Sequence, residues 1–264
     1  MKAGVFMSNL IINFAVRSET GLVRTNNEDN FFCNGIFMSN SEREKPFFLK
    51  GSAKVPCIFG VCDGMGGEDC GEIASFLTVE TLSEYAEKIK LGSNKNVNDF
   101  VRASNTKLLS LMNKNNIRTG TTLALVVIKE NFFTAYNLGD SRIYRVQNKR
   151  LIRVTDDHTV AEDKVRLGLL TPKQAEKTPE KNFLTKCIGI FDNEVTPDVN
   201  GPYDFNGNEK ILICSDGLTD MLSYNEIANI ILSTNDISET VNNLVNKALQ
   251  NGGKDNVTCM IISF

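Results

Sequence analysis

The chain has 264 residues, 41% apolar and 23% charged, with a formal net charge of −3. That is enough apolar material for a sizeable core, and no segment concentrates Lys and Arg, so the electrostatic footprint of a nucleic-acid binder is missing. Seven cysteines, an odd number, lack the two-residue spacing of a zinc knuckle or redox motif and read as small core hydrophobes in a reducing compartment.

The opening stretch, "MKAGVFMSNLIINFAV", has one Lys followed by an apolar run, but Ser8, Asn9 and Asn13 interrupt it. No small-residue cleavage site follows, and no run reaches the roughly 18 apolar residues of a membrane span. It reads as the first β-strand of a cytoplasmic protein. Strands are expected at 11–18, 30–38, 57–62, 122–129, 132–138, 142–147, 147–154, 211–215 and 257–264, from apolar or alternating runs bounded by turn residues. Residues 72–89 carry Ile73, Phe76, Leu77, Val79, Leu82, Tyr85, Ala86 and Ile89 at the spacing of one buried helical face. Helices are also expected at 98–113, 224–232 and 238–250, the last stopping at Gly252 and Gly253. The polar stretch 37–56, with two prolines, reads as an extended surface hairpin. No repeat or linker divides the chain, which predicts one domain over 1–264. Consecutive strands on short turns favour antiparallel sheets with helices packed outside them, an α+β class.

Three apolar strands end alike, in "CIFGVCDG" at Asp63, "YNLGDSR" at Asp140 and "ILICSDG" at Asp216. Asp255 in "GGKDNVT" stands at the mouth of the last strand, and Glu28 and Asp29 in "RTNNEDN" precede the second. One Asp-Gly after a strand is usually only a turn. Several such acids on converging strand ends repel one another unless cations neutralise them. Oxygen-only ligands suit Mg²⁺ or Mn²⁺, and His158 is the single histidine, too few for a zinc site of the His-rich kind. Two such ions a few ångströms apart activate a bridging water for in-line displacement at phosphorus, so phosphate-ester hydrolysis is the leading reaction class. Other phosphate chemistries fail on their own residues. No Cys has an Arg six positions on, "NGGKDN" lacks the first Gly and the Ser or Thr of a phosphate-binding loop, and in "DGMGGED" Asp69 stands where a dinucleotide site needs Gly.

Taken together, "TGLVRTNNEDN", "VCDGMGGEDCGEIAS", "TGTTL", "YNLGDSRIYRV", "VTDDHT", "LTPKQAEKTPEKNFLTKCIG", "ILICSDGLTDML" and "GGKDNVTCMII" resemble the metal-dependent Ser/Thr protein phosphatases of the PPM, or type 2C, family, from about Val16 to Phe264. The Met in "DGMGG" is similar to that of the compact bacterial members. The resemblance implies a four-layer α-β-β-α sandwich of two antiparallel sheets flanked by helices. It also implies roles. Asp63 bridges two Mn²⁺ or Mg²⁺ ions, the Gly64 carbonyl binds one, and Asp216 and Asp255 complete the other. Glu28 and Asp29 hold metal-bound waters or bind directly. Asp140, with Asp216, matches the position of a third, looser ion, and Arg24 matches a phosphate clamp whose planar fork suits phosphate oxygens. The implied mechanism is one-step attack by hydroxide held between the ions on phosphoserine or phosphothreonine of protein substrates, with a Ser/Thr kinase or its targets as implied partners. The implied alternative is a pseudophosphatase that binds without turnover; it would be expected to have lost one of these acids, and all are present. Two positions depart from the family pattern. Met65 replaces the His that donates a proton in eukaryotic members, leaving that role unassigned, and Thr178 in the flap segment 168–182 replaces a His common in bacterial relatives. His158 is read as structural.

Overall fold

The computed structural model describes residues 10–66, 70–190, 195–205 and 209–264. In chain order the elements are β1 (Ile11–Glu19), β2 (Asn30–Cys33), β3 (Phe47–Lys54), β4 (Cys57–Cys62), β5 (Gly64–Gly66), α1 (Gly71–Leu91), α2 (Asn94–Asn115), β6 (Thr119–Thr121), β7 (Leu123–Lys129), β8 (Phe132–Leu138), β9 (Arg142–Gln147), β10 (Arg150–Arg153), α3 (Val160–Arg166), α4 (Pro172–Ala175), β11 (Asp198–Asp204), β12 (Lys210–Cys214), α5 (Asp216–Thr219), α6 (Tyr224–Ser233), α7 (Ile237–Gln250) and β13 (Val257–Ser263). A short 3₁₀ turn, Pro179–Asn182, follows α4.

The strands form a six-stranded sheet, β10-β9-β12-β13-β1-β3, a five-stranded sheet, β11-β8-β7-β4-β2, and the small pair β5-β6. Alternation along each central strand explains why two sheets stack and why both outer faces take helices. From β13, Met260 and Ile262 join Phe14, Val16, Phe59, Val126 and Ile213 between the sheets. The intervening Cys259 and Ile261 turn the other way, against Val241, Leu244 and Ala248 of α7. On the opposite sheet Leu123, Leu125 and Val127 pack under Val79, Leu82, Phe100 and Leu108 of α1 and α2. The order of layers is therefore helices, sheet, sheet, helices, as the resemblance implies.

The expected 57–62, 132–138 and 142–147 strands match β4, β8 and β9, and the four expected helices are present within a few residues. Three expectations need correction. The strand expected at 30–38 ends at Cys33, because Asn34 and Gly35 take positive φ and Asn30 then clasps Met38 through both side-chain atoms. The strand expected at 147–154 begins at Arg150, since Asn148 and Lys149 form a left-handed hairpin turn. Within 37–56, residues Phe47–Lys54 form the edge strand paired along β1 rather than a free-standing surface hairpin. A Cβ at Gly51 would lie 2.8 Å from the tip of the Phe14 ring, which would have to shift to admit a side chain there. Residues 1–9 of the opening stretch, with Gly67 and Asp69 of the glycine loop, lie outside the described residues. Among the described residues no helix is long and apolar enough to cross a membrane. All the cysteines but Cys70 are buried.

Candidate active site

Strand β4, buried along its whole length, runs straight into Asp63. The Asp63 N–H donates to Thr122 Oγ1 at 2.9 Å, and its carbonyl accepts from the Thr121 hydroxyl and the Thr122 N–H, both at 2.9 Å. Thr122 Oγ1 also meets Ser141 Oγ at 2.7 Å, one residue past Asp140. The backbone of Asp63 is thus locked by the "TGTTL" segment, and its carboxyl is the group left for chemistry.

Glu28 and Asp29 approach from the 20–29 loop. A Cβ on Gly64 would lie 2.1 Å from the Gly71 carbonyl, and one on Gly71 would lie 2.7 Å from Glu28 Oε1. Only glycines let these three backbones close up, which sets the Glu28 carboxylate against the first N–H of α1, where the helix dipole favours an anion. The Glu28 carbonyl accepts from Ser75 Oγ at 2.6 Å and from the Gly64 N–H at 3.2 Å, while its N–H donates to Asn256 Oδ1 at 2.8 Å. Asn256 in turn donates to the carbonyls of Thr20 and Asn26, each at 2.8 Å. One amide side chain therefore fixes the whole loop to the start of β13. Asp29 is fully buried; its Oδ2 accepts from Ser215 Oγ at 2.8 Å, and its Oδ1 has no partner.

Asp216 opens α5. A Cβ on the following Gly217 would fall 1.9 Å from the Asn256 carbonyl, so the "SDG" glycine lets this turn press on the "KDN" turn. Asp255 accepts from Arg24 Nη2 at 2.8 Å, and Arg24 Nη1 lies 3.9 Å from Glu28 Oε2. The Arg24 side chain is about half exposed, spanning the mouth between two acids.

The acids act on one another. Burial first, then Asp29, Asp216, Asp140 and Asp255, push the Asp63 carboxyl well above the usual carboxylate range. Burial outweighs the bonds from Thr258 and Ser215 and carries Asp29 up to about 7. Asp216 rises to about 6 through burial and the charges of Asp220 and Asp255, although it shares a hydrogen bond with Asp63. Asp140 is raised by burial, Asp216 and Asp157, and Glu28 by burial against the pull of Arg24. Such a set resists full ionisation unless positive charge is supplied. The donors are all oxygen, which suits a hard divalent cation, and the partnerless Asp29 Oδ1 is a buried lone pair of the kind a cation or its water satisfies. Among the described residues, no group of three or more His, Cys, Asp or Glu side chains already stands around one point as ligands. These acids are neighbours by charge and not a closed cage.

All the acids singled out in the sequence, with Gly64 and Arg24, come to this corner. The sequence reading missed the groups that hold them, namely Thr121, Thr122, Ser141, Ser215, Asn256, Thr258 and Ser75. A local signal existed, since most of these polar residues stand within two positions of an acid or in "TGTTL". Thr178 caps the 3₁₀ turn in the flap, with Oγ1 accepting from the Glu180 N–H. A cavity of about 390 Å³ lies away from the carboxylates, under the flap, where Arg142, Arg153, Asp157, Lys181, Asp220 and Tyr224 line it.

The family model for protein phosphatase 2C matches residues 46–252. The serine/threonine phosphatase stp of Listeria welshimeri is 30% identical over 260 residues, 93% of each chain. The crystal structure of the Mycobacterium tuberculosis serine/threonine phosphatase PstP/Ppp superposes with a TM-score of 0.82 at 27% identity, covering 97% of this chain and 99% of that one. The PstP catalytic domain in complex with two manganese ions gives 0.79 at 26% identity over 96% and 99% of the two chains. The chain therefore belongs to the protein phosphatase 2C family, the metal-dependent serine/threonine phosphatases, in the compact form found in bacteria.

Proposed function

We propose that residues 1–264 act as one catalytic domain that removes phosphate from phosphoserine and phosphothreonine in proteins, with Mn²⁺ or Mg²⁺ at the carboxylate corner. The observation that carries this reading is the corner itself, where Asp63 is held by Thr121 and Thr122, Asp29 is buried with Oδ1 unpartnered, and Asp140, Asp216 and Asp255 lie close enough to raise the Asp63 carboxyl. Asp63 would be shared by two ions, the Gly64 carbonyl would hold one, and Asp216 and Asp255 would complete the other. Glu28 and Asp29 would order the surrounding water or bind directly, and Asp140 with Asp216 would take a third ion. Two such cations supply a nucleophile at neutral pH and neutralise charge developing at phosphorus. The protein's own part is to hold the carboxylates rigid and to orient the ester. Arg24 uses only part of its five-donor fork on Asp255, so the remaining N–H groups can take phosphate oxygens at the mouth. The Met65 thioether has no proton to give, and protonation of the leaving oxygen falls to water. The likeness to PstP bound to two manganese ions supports the choice of metal. The acid set is complete, so no observation favours a non-catalytic binding role.

Hydrolysis of p-nitrophenyl phosphate with Mn²⁺, with chelator and with Asp216→Asn tests the reading. Activity that needs Mn²⁺ and falls by about 10³-fold in the variant is expected, the size typical of losing one electrostatic stabiliser. A wild-type rate equal to that of the variant at saturating Mn²⁺ would refute it.

A further inference from the structure

His158 carries no part of the proposed chemistry, yet it takes both polar backbone groups of the residue before Asp140. Its own N–H donates to the Gly139 carbonyl at 3.0 Å, and its ring Nδ1 accepts the Gly139 N–H at 3.1 Å. Gly139 has φ +95°, and a Cβ there would lie 2.6 Å from Thr122 Cγ2, so the turn is wedged between His158 and the threonine that anchors Asp63. The ring is buried, 2% exposed. Because Nδ1 accepts, the proton of the neutral ring belongs on Nε2, which has no aligned hydrogen bond and faces Asp198 Oδ2 at 3.1 Å. Asp198 is itself held by Lys186 at 2.6 Å.

The same residue stands at the root of the flap. The His158 carbonyl accepts from the Thr185 N–H at 2.8 Å, Thr159 bridges Leu184, and the Val160 N–H donates to the Phe183 carbonyl at 2.9 Å. Residues 160–183, the wider flap made of α3 and the segment that follows it, thus leave and return on either side of His158.

We propose that His158 is a positioning residue, which fixes the Asp140 turn through Gly139 and joins that turn to the flap root, with Asp198 and Lys186 setting its ring. The inference rests on the phosphatase reading for the cation that Asp140 would help to hold. A ligand whose backbone is loosened loses affinity even when its carboxylate is intact, by the roughly 10–100-fold typical of residues that support metal ligands.

Three variants of the full chain separate the terms. In His158→Asn, Oδ1 stands in for Nδ1 and can still accept from Gly139; His158→Phe fills the space without an acceptor; Asp198→Ala removes the group facing Nε2 from a half-exposed site. Mn²⁺ binding by calorimetry and melting temperature are read beside phosphatase activity. The expected result is that His158→Phe weakens the weakest Mn²⁺ binding event by about 10-fold or more, that His158→Asn restores it to within about 3-fold, and that Asp198→Ala falls between them. Equal Mn²⁺ binding by His158→Phe and wild type would overturn the proposal. So would identical losses in the Asn and Phe variants, or a rise in phosphopeptide KM with Mn²⁺ binding unchanged, which would confine His158 to the flap. If His158→Phe does not fold, Asp198→Ala decides, and Mn²⁺ binding by it equal to wild type would overturn the proposal. Wild-type protein that bound no Mn²⁺ would instead remove the phosphatase reading.

Discussion

The carboxylate corner and the flap are held by opposite means. At the corner, buried hydroxyls and amides from distant parts of the chain pin each acid. Thr122 holds Asp63, Asn256 holds the loop before Glu28, and Ser215 holds Asp29. The flap relies on half-exposed charge pairs: Lys164 with Glu180 at 2.6 Å, Arg166 with Asp163 at 2.7 Å, and Lys181 with Asp220 at 2.7 Å. Leu167, Leu169 and Phe183 stay exposed along it. Buried hydrogen bonds are costly to break, whereas exposed ion pairs contribute little, so the fold is committed to the geometry of the acids and not to that of the flap. On the proposed function, the corner would carry chemistry that tolerates no displacement, and the flap would adapt to what approaches.

The largest effect that sharpens this contrast is the response of stability to pH and metal. In chelator, Asp29 keeps its proton up to about pH 7 in the folded state, while an unfolded Asp releases it near ~4. Asp63, Asp140 and Asp216 shift in the same direction. Between those limits the folded chain binds more protons than the unfolded one, so stability falls as pH rises. Buried His158 opposes the trend, because its lowered pKa costs stability as pH drops below roughly 6.5. Four carboxyls outweigh one imidazole. The melting temperature in chelator should therefore decline from pH 5 to pH 8, and Mn²⁺ should raise it most at pH 8, where the ligands have fewest protons to lose. A flat profile in chelator would mean that the acids are not forced together.

Next in size is Thr122→Val, which keeps the shape at a fully buried site but strands the Asp63 N–H and the Ser141 hydroxyl. A loss of about 1–3 kcal/mol in stability is expected, with Mn²⁺ affinity down by roughly 10-fold. Chemical denaturation and calorimetry would measure the two, and unchanged Mn²⁺ affinity would detach Thr122 from the role proposed for the carboxylate corner. Arg24→Ala should act more narrowly. It should raise the phosphopeptide KM by about 10-fold with a smaller change in kcat, the pattern of lost substrate binding. A KM that did not move would leave Arg24 as a partner of Asp255 alone.

The sequence exposed the acids better than their supports. Asp63, Asp140 and Asp216 each follow a buried, near-continuous apolar strand, and Glu28, Asp29 and Asp255 stand just before one, a pattern that survives in one sequence because strand ends need a turn residue. The supports are legible only once strands distant in sequence are paired. Asn256 meets Glu28 across 228 residues and Ser215 meets Asp29 across 186, separations that periodicity does not encode. Two of the edge strands were hidden for another reason. Both β3 and β11 carry Lys, Gly or Pro on faces turned to solvent, as sheet edges do, and so resemble loops. The flap's short helices depend on threonine caps at Thr159 and Thr171 more than on an apolar face, and amphipathic spacing does not find them.

The smallest predicted effect tests the contrast from the flap's side. Among the described ion pairs, Lys181 with Asp220 is the one that joins the flap to the end of α5, and both side chains are about one-third exposed. Solvent screens such a pair, so Lys181→Met should change stability by no more than ~1 kcal/mol, a shift of about 2–4 °C at this chain length. Mn²⁺ affinity should stay within about 2-fold of wild type, since the corner is pinned by other bonds. If the flap meets protein substrates alone, the phosphopeptide KM should rise while that for p-nitrophenyl phosphate does not. A melting temperature lower by ~10 °C would show the opposite, a flap whose docking carries much of the fold's stability. In that case the adaptability inferred from its exposed ion pairs would have to be given up.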